Sequence, residues 1–413
     1  MSKYFDDLET RSVEARERDL FQKLPEFLQT AKDTVTGWGE QLAELDCAAI
    51  KSREKLALIP VLRKAELMEA QNKKPPFGGF ANTSLLDGSR IFMSPGPVWE
   101  PQAPGIDPWM AARSFFAAGI RKGDLVHNSL SYHMTPGAFI LDEGARAMGA
   151  RIFPAGVGNT QMQVEAAAFI RPDAYAGTPD YLKTILDKAE EMDKDLSSIK
   201  KGIVSGGALF PSMREEYLDR GVRVMQAYAT ADLGVIAFES TFDDIVLPGM
   251  ICNENLIVEI VRPGTNDPVP AGEVGELVVT NFNPAYPLIR FGTGDLSAVL
   301  DEPSPCGRTN MRIKGWMGRA DQRTKVKGMF VDPKQVAELV KASPSIRAAR
   351  MVVSRQDDDD VMTLQVTPSS GEADIKDIAE KLTTICKVKG RIEQVSSLPN
   401  DGLIIEDQRD YTK

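Results

Sequence analysis

An α/β fold in two parts is what this chain predicts. A large multi-part N-terminal domain of parallel sheet and helices carries a small β subdomain, and a small ferredoxin-like α+β domain closes the chain. Three observations lead there. The length, 413 residues, exceeds the roughly 250–300 residues at which a single core stops growing. Between residues 108 and 235 helical stretches alternate with short apolar runs, the pattern of strands that cross over through helices into a parallel sheet. After residue 318 the order becomes β-α-β-β-α-β within about 95 residues, which fits a ferredoxin-like unit.

Each element has a local reason. Residues 8–72 are rich in helix formers, with apolar side chains at helical spacing (Leu20, Leu24, Phe27, Leu28) and an interruption at Pro60. Residues 74–80 (KPPFGGF) read as loop, and the four prolines of residues 90–106 exclude a regular helix. Helices are expected over 108–120, 137–149, 160–170, 178–191 and 211–220. Short strands are expected at 125–126, 152–153, 174–176, 202–204 and 222–225. On such sheets ligands bind beyond the carboxyl ends of the strands, so the loops that follow those runs are the place to look for chemistry. Residues 256–261, 275–280 and 288–291 read as strands between Gly/Pro/Asn turns, a β-rich subdomain over 250–300. Beyond Gly318 come strands near 324–327, 348–354, 361–367 and 391–397, with helices over 333–342 and 373–385. The expected domains are therefore 1–317 and 318–413.

Charge and composition exclude several classes. Lys and Arg number 49 against 59 Asp and Glu, a net charge of −10, which argues against non-specific nucleic-acid binding because that mode needs a net basic surface. The N-terminus is charged and lacks the apolar centre of a signal peptide, and no stretch of roughly 18 apolar residues suggests a membrane span. Cys47, Cys252, Cys306 and Cys386 form no CxxC pair, as expected of reduced thiols in the cytoplasm. With only His127 and His133, a His-rich metal cage is not expected.

Three segments carry chemistry. Residues 226–234 (QAYATADLG) run from a strand into a loop that ends in an acid. Residues 286–296 (YPLIRFGTGDL) read as a strand ending in an RxxTGD turn. In residues 318–328 (GRADQRTKVKG) a Gly-Arg-x-Asp group precedes a strand and a glycine turn. In this order and spacing the chain resembles adenylate-forming enzymes, most closely the phenylacetate–coenzyme A ligase-like branch. Residues 128–132 (NSLSY), 153–160 (FPAGVGNT), 177–181 (GTPDY), 205–208 (SGGA) and 305–309 (PCGRT) fit that branch too, so the resemblance covers roughly residues 85–400.

The resemblance implies an ATP-dependent acyl- or aryl-coenzyme A ligase. A carboxylate attacks the α-phosphate of ATP to give an acyl-adenylate and pyrophosphate, and coenzyme A then displaces AMP. It implies ATP, Mg²⁺ and coenzyme A as cofactors and an aromatic or medium-sized organic acid as substrate. It also implies site residues in this chain. Asp232 would hold Mg²⁺ with ATP, and Tyr228, Ala229 and Thr230 would line the nucleotide beside Gly206 and Gly207. Asp295 would accept the ribose hydroxyls, Arg319 would assist them, and Asp321 would act at a hinge about which the C-terminal domain rotates. Tyr132, His133 and Ala208 would border the acyl pocket. Residue chemistry is consistent with this: a carboxylate accepts two hydroxyls, and an acid suits a hard cation. Each residue also has a purely structural alternative, Asp295 as a turn residue, Tyr228 as a core aromatic, Gly206–Gly207 as a simple turn and His133 as a hydrogen-bonded histidine.

The pattern departs from the family in three places. Residues 94–101 (SPGPVWEP) stand where a Ser/Thr/Gly-rich phosphate loop ending in lysine is expected. Pro95 and Pro97 there remove N–H donors, and Glu100, at the lysine's place, is expected to repel the β- and γ-phosphates. Leu403 stands where a C-terminal lysine belongs. Ser240 and Met250 replace a cysteine and a histidine of a structural zinc site, so no zinc is expected although Cys306 is kept. These departures leave two alternatives open, a repurposed relative that binds AMP or an acyl-adenylate, and an ATP-independent acyl transferase. Oligomeric state is left open, with a homodimer the first state to test.

Overall fold

A computed structural model describes the chain except for residues 1–2, 321, 323, 357–358, 370, 400–402 and 410–413. Two compact units emerge, one reaching to Thr293 together with Ser297–Trp316, the other comprising Gly294–Leu296 and the chain from Met317.

A nine-stranded sheet organises the first unit. Arg151–Pro154, Leu125–Asn128, Ala174–Gly177, Lys201–Val204 and Arg223–Thr230 lie side by side in parallel. Gly234–Phe238, Met250–Cys252, Arg312–Ile313 and Val299–Leu300 extend it antiparallel. Helices Gly137–Ala147, Thr160–Ile170, Pro179–Glu191 and Pro211–Asp219 connect the parallel strands. With helices over a parallel sheet, strand centres such as Val126, Ala176 and Ile203 are fully buried, and they share a core with Phe115, Leu141 and Phe238. Proline opens two of these helices, at Pro179 and Pro211, where its missing N–H costs nothing.

A second, four-stranded sheet is ordered Leu62–Arg63, Phe291–Ser297, Gly275–Asn281, Leu256–Val261. The long helix Val13–Thr34 packs Leu20, Leu24 and Leu28 into the same core as Ile257, Leu277 and Phe291, which accounts for the apolar spacing of the N-terminal sequence.

Three expectations need correction here. Residues 288–290 are not strand; the strand begins at Phe291 and continues to Ser297, so Thr293, Gly294 and Asp295 lie within it instead of in a turn after it. The reason is Arg290, which is fully buried in a left-handed conformation (φ +46°). Its guanidinium donates to Glu259 Oε2 and to the carbonyls of Ala57, Ile59 and Asn266, so it bends the chain instead of extending it. Secondly, the helix expected over 108–120 is only Ala112–Ala117. Asp107 sets its start by accepting the N–H groups of Ala111 and Ala112 (2.8 and 2.9 Å). Thirdly, in the C-terminal unit the strand Thr324–Val326 pairs with Met329–Val331 as a separate hairpin. The main sheet is ordered Arg391–Gln394, Asp359–Pro368, Ile346–Gln356, Ile405–Asp407. Helices Pro333–Ala342 and Ile375–Cys386 bury Val336, Leu339, Ile378 and Leu382 against that sheet. Overall the α/β class with a small α+β C-terminal unit stands, with Ile405–Asp407 as an edge strand parallel to Ile346–Gln356.

Candidate active site

The loops beyond the carboxyl ends of the parallel strands are tied together by one side chain. Gln163, buried on helix Thr160–Ile170, donates its amide N–H to the carbonyls of Gly156 (3.0 Å) and Gly158 (2.7 Å). Its Oε1 accepts from Ser129 Oγ (3.1 Å) and lies 2.8 Å from His127 Nε2. The amide orientation is fixed by those partners, so His127 carries its proton on Nε2. Burial lowers its pKa and keeps the ring neutral. His127 is therefore a scaffold residue beneath the loops 128–132 and 154–160.

Two strands further along, the loop 205–208 turns at Gly206, whose φ of +72° suits glycine. Gln226 donates to the Gly207 carbonyl (3.0 Å), which holds this loop against the strand Arg223–Thr230. Gly206 is exposed, and Gly207 and Ala208 are half-buried. On the same strand Tyr228, Ala229 and Thr230 are each half-buried, and the register with Gly234–Phe238 shifts between Tyr228 and Ala229. Thr230 Oγ1 accepts the N–H of Leu233 (3.2 Å), closing a tight turn that faces Asp232 inward.

Asp232 does not stand alone. Its Oδ2 pairs with Lys64 Nζ at 3.1 Å, and Lys64 opens the helix Lys64–Lys73. Beside it lies Glu100, on the hairpin formed by Ile91–Ser94 and Val98–Pro101. Ser94 Oγ donates to Glu100 Oε1 at 2.5 Å. The Glu100 pKa is pushed well above the usual carboxylate range, first by burial and next by the charge of Asp232. Burial beside a second carboxyl thus disfavours the charged form of Glu100, which works against the full repelling charge expected at this place. The Tyr286 hydroxyl, also buried, lies in the field of both carboxyls. Three atoms here, Glu100 Oε2, Asp232 Oδ1 and the Tyr286 hydroxyl, have no hydrogen-bond partner among the described residues. An oxygen-only donor set with unsatisfied buried acceptors fits a hard cation such as Mg²⁺.

Of the acyl-pocket residues, Tyr132 is half-buried. Its hydroxyl donates to Asp142 (2.9 Å) and accepts from Asn128 (2.9 Å), and its ring packs edge-on against Phe139. The phenol is thus committed to the scaffold, and burial raises its pKa. His133 is exposed, on a loop whose Met134 carbonyl accepts from Met93 of the hairpin.

In the C-terminal unit Asp295 and Arg319 form an ion pair at 2.8 Å across a backbone bridge between the two residues. Gly294 beside them has a φ of +73°, and a Cβ there would sit 2.6 Å from the Arg319 guanidinium. Asp321 lies outside the described residues, and Leu403 is exposed. Cys306 is buried among polar groups: Ser304 Oγ is 3.0 Å from its sulfur, and Arg308, 3.7 Å away, also donates to Glu9 of the N-terminal segment. Among the described residues no group of three or more His, Cys, Asp and Glu side chains is placed to hold a metal.

Lys64, Gln163 and the pairing of Glu100 with Asp232 escape sequence reading. Tyr286 stood inside a motif already singled out, but nothing in the sequence marked its hydroxyl as part of the site.

Strand-end loops gathered over a parallel sheet, with Asp232 held beside Lys64, mark the place where ligands bind on α/β folds. A model of the family described as AMP-binding enzyme matches residues 143–284. The phenylacetate-coenzyme A ligase of Pseudomonas putida is 29% identical over 350 residues, 81% of this chain and 77% of that one. That of Aromatoleum evansii is 28% identical over 365 residues, 83% and 81% of the two chains. The crystal structure of 2-hydroxyisobutyryl-CoA ligase with 2-HIB-AMP and CoA shares the fold, with a TM-score of 0.81 at 24% identity over 99% of this chain and 93% of that one. The chain is thus similar in sequence to AMP-binding enzymes and to phenylacetate-coenzyme A ligases, and in fold to 2-hydroxyisobutyryl-CoA ligase.

Proposed function

We propose that this chain is an AMP-forming acid–thiol ligase, joining an aromatic or medium-sized organic acid to coenzyme A through an acyl-adenylate at the expense of ATP. The observation that carries the reading is the Thr230–Leu233 turn, which holds Asp232 beyond a strand's carboxyl end with Lys64 at 3.1 Å. The relatives' names and the AMP-binding match support the same chemistry. In this reading the Tyr228 ring packs on adenine and the Gly206–Gly207 backbone lets the nucleotide approach closely. Asp295 accepts the ribose hydroxyls, and Arg319 orients that carboxylate. Tyr132, His133 and Ala208 border the acyl group. Asp232 holds Mg²⁺, which when bound neutralises phosphate charge during adenylation. The division at Gly318–Arg319 and a hinge at Asp321 belong to the same proposal, as do a cytoplasmic location and a homodimer. Light scattering of the pure protein distinguishes one chain's mass from two.

ATP–pyrophosphate exchange across a panel of acids, phenylacetate and 2-hydroxyisobutyrate included, tests the reading. Acid-dependent exchange followed by coenzyme A-dependent AMP release is expected. Absence of exchange with every acid, together with no nucleotide binding in calorimetry, would overturn it. A second reading has its own support: Ser94 Oγ is engaged by Glu100, and Leu403 offers no charge. In that reading the chain runs only the thioester step, and a synthetic acyl-adenylate plus coenzyme A yields thioester while exchange stays absent.

A further inference from the structure

We propose that a cavity at the amino ends of the parallel strands binds a small phosphoanion, away from the strand-end loops described above. The cavity has a volume of about 320 Å³, and four cations stand in its wall, Lys3, Arg121, Arg223 and Arg308. That volume lies within the range of small-molecule sites. Arg223 opens the eight-residue strand Arg223–Thr230, and Arg121 precedes the strand Leu125–Asn128. At about 3.3 Å per residue, the cavity lies roughly 20 Å from the loops at the other ends of those strands.

Local contacts hold the cations in place. The Arg121 guanidinium lies 3.7 Å from the centre of the Phe116 ring and donates to the carbonyls of Phe116 (2.7 Å) and Ile120 (2.9 Å). Lys3 Nζ and the Arg308 guanidinium share one ring, that of Tyr4, at 5.7 and 5.5 Å, and Lys3 is also 5.5 Å from the centre of Phe242. Two of the charges have carboxylate partners, Arg308 with Glu9 at 3.0 Å and Arg223 with Asp244 at 2.8 Å. The acid next to Arg121 in the chain, Asp124, is engaged by Lys201 at 2.6 Å. Against Lys3 and Arg121 the wall offers one acid, Asp243, so the cavity keeps an excess of positive charge in a protein whose net charge is −10. Burial pulls the Arg121 pKa down, and the like charge of Arg308 adds to this against the opposing pull of Asp124. A bound anion relieves that repulsion. Guanidinium groups present planar forks of N–H donors that match phosphate, and an ammonium adds a point charge. A tetrahedral phosphate has oxygens enough to meet cations that arrive from four separate segments, where a single carboxylate has two.

This site is independent of the ligase reading, which stands or falls without it. The experiment titrates pyrophosphate and, separately, AMP into the full-length protein without magnesium and follows binding by calorimetry. A pyrophosphate site is expected that weakens about tenfold in Arg121→Gln and in the double variant Lys3→Gln/Arg223→Gln, the scale of losing charged hydrogen bonds. Lys73→Gln, which removes an exposed lysine elsewhere, is expected to leave it unchanged. Thermal melts establish that each variant is folded. The double variant changes two exposed side chains and carries the test if Arg121→Gln does not fold. AMP binding weakened by the same variants makes the phosphate of a nucleotide the ligand, whereas pyrophosphate binding alone makes it a free phosphoanion. No binding of either probe at millimolar concentration overturns the proposal, as does binding that is undiminished in the folded cavity variants.

Discussion

Carboxyl groups in this protein behave according to what surrounds them, and three of them make testable cases. Asp107 is buried at the start of the helix Ala112–Ala117, and burial pushes its pKa up to about 6 despite two backbone N–H donors. A folded-state pKa above the unfolded value favours the protonated form. Its contribution to stability is therefore complete below about pH 4 and is lost as pH rises through about 6. Urea midpoints measured between pH 4 and 7 should show this decline, and Asp107→Asn should flatten it. Asp295 and Arg319, 2.8 Å apart, act in the proposed site as one unit. Asp295→Asn and Arg319→Ala should each raise the KM for ATP by about tenfold, with the double variant little worse than either single one, because coupled neighbours are not additive. For Asp232, removing charge with Asp232→Asn should cut kcat in pyrophosphate exchange by roughly 10²-fold, the scale seen when one stabilising group is lost.

Elements are held in place by residues whose roles depend on their neighbours. Gly234 opens the strand Gly234–Phe238 with a φ of +79°, and a Cβ there would lie 2.4 Å from the Trp109 carbonyl. That same carbonyl accepts the N–H of Val235 at 2.9 Å, so the approach cannot relax without breaking a hydrogen bond. Gly234→Ala should cost about 3 kcal/mol or more in denaturant unfolding, combining left-handed strain with a backbone clash. Gln163 joins the two strand-end loops through five neighbours, Gly156, Gly158, Ser129, His127 and the Tyr181 hydroxyl. Gln163→Leu should leave the His127 Nε2–H without its partner and lower stability by about 2–4 kcal/mol. Proteolysis would then find the loop 154–160 more readily than in the parent chain.

At the scale of the whole molecule, Arg290 links segments far apart in sequence. It is fully buried, pairs with Glu259 at 3.0 Å, and donates to the carbonyls of Ala57, Ile59 and Asn266. Breaking a buried pair leaves an uncompensated charge, so Arg290→Met should destabilise the chain by about 3–5 kcal/mol, measured by calorimetric unfolding. This residue lay inside a motif that reads as functional, yet its contacts are those of a structural tie. Much of the fold was legible beforehand. The helices at 160–170, 178–191 and 333–342 match Thr160–Ile170, Pro179–Glu191 and Pro333–Ala342 closely, because apolar periodicity and proline at the first turn are local signals. The same holds for the order of strands over 125–225, where short apolar runs sit between those helices. By itself, then, the sequence determined which segments become helix or strand, the parallel core they build, and the resemblance that marks Tyr228, Asp232 and Asp295. Only the tertiary structure decided that Arg290 bends the chain, that Ile405–Asp407 completes the C-terminal sheet, and that Glu100 meets Asp232 beside Lys64. Those depend on burial and on partners distant in sequence, and a side chain's charge is fixed by its surroundings in space, not by its neighbours along the chain.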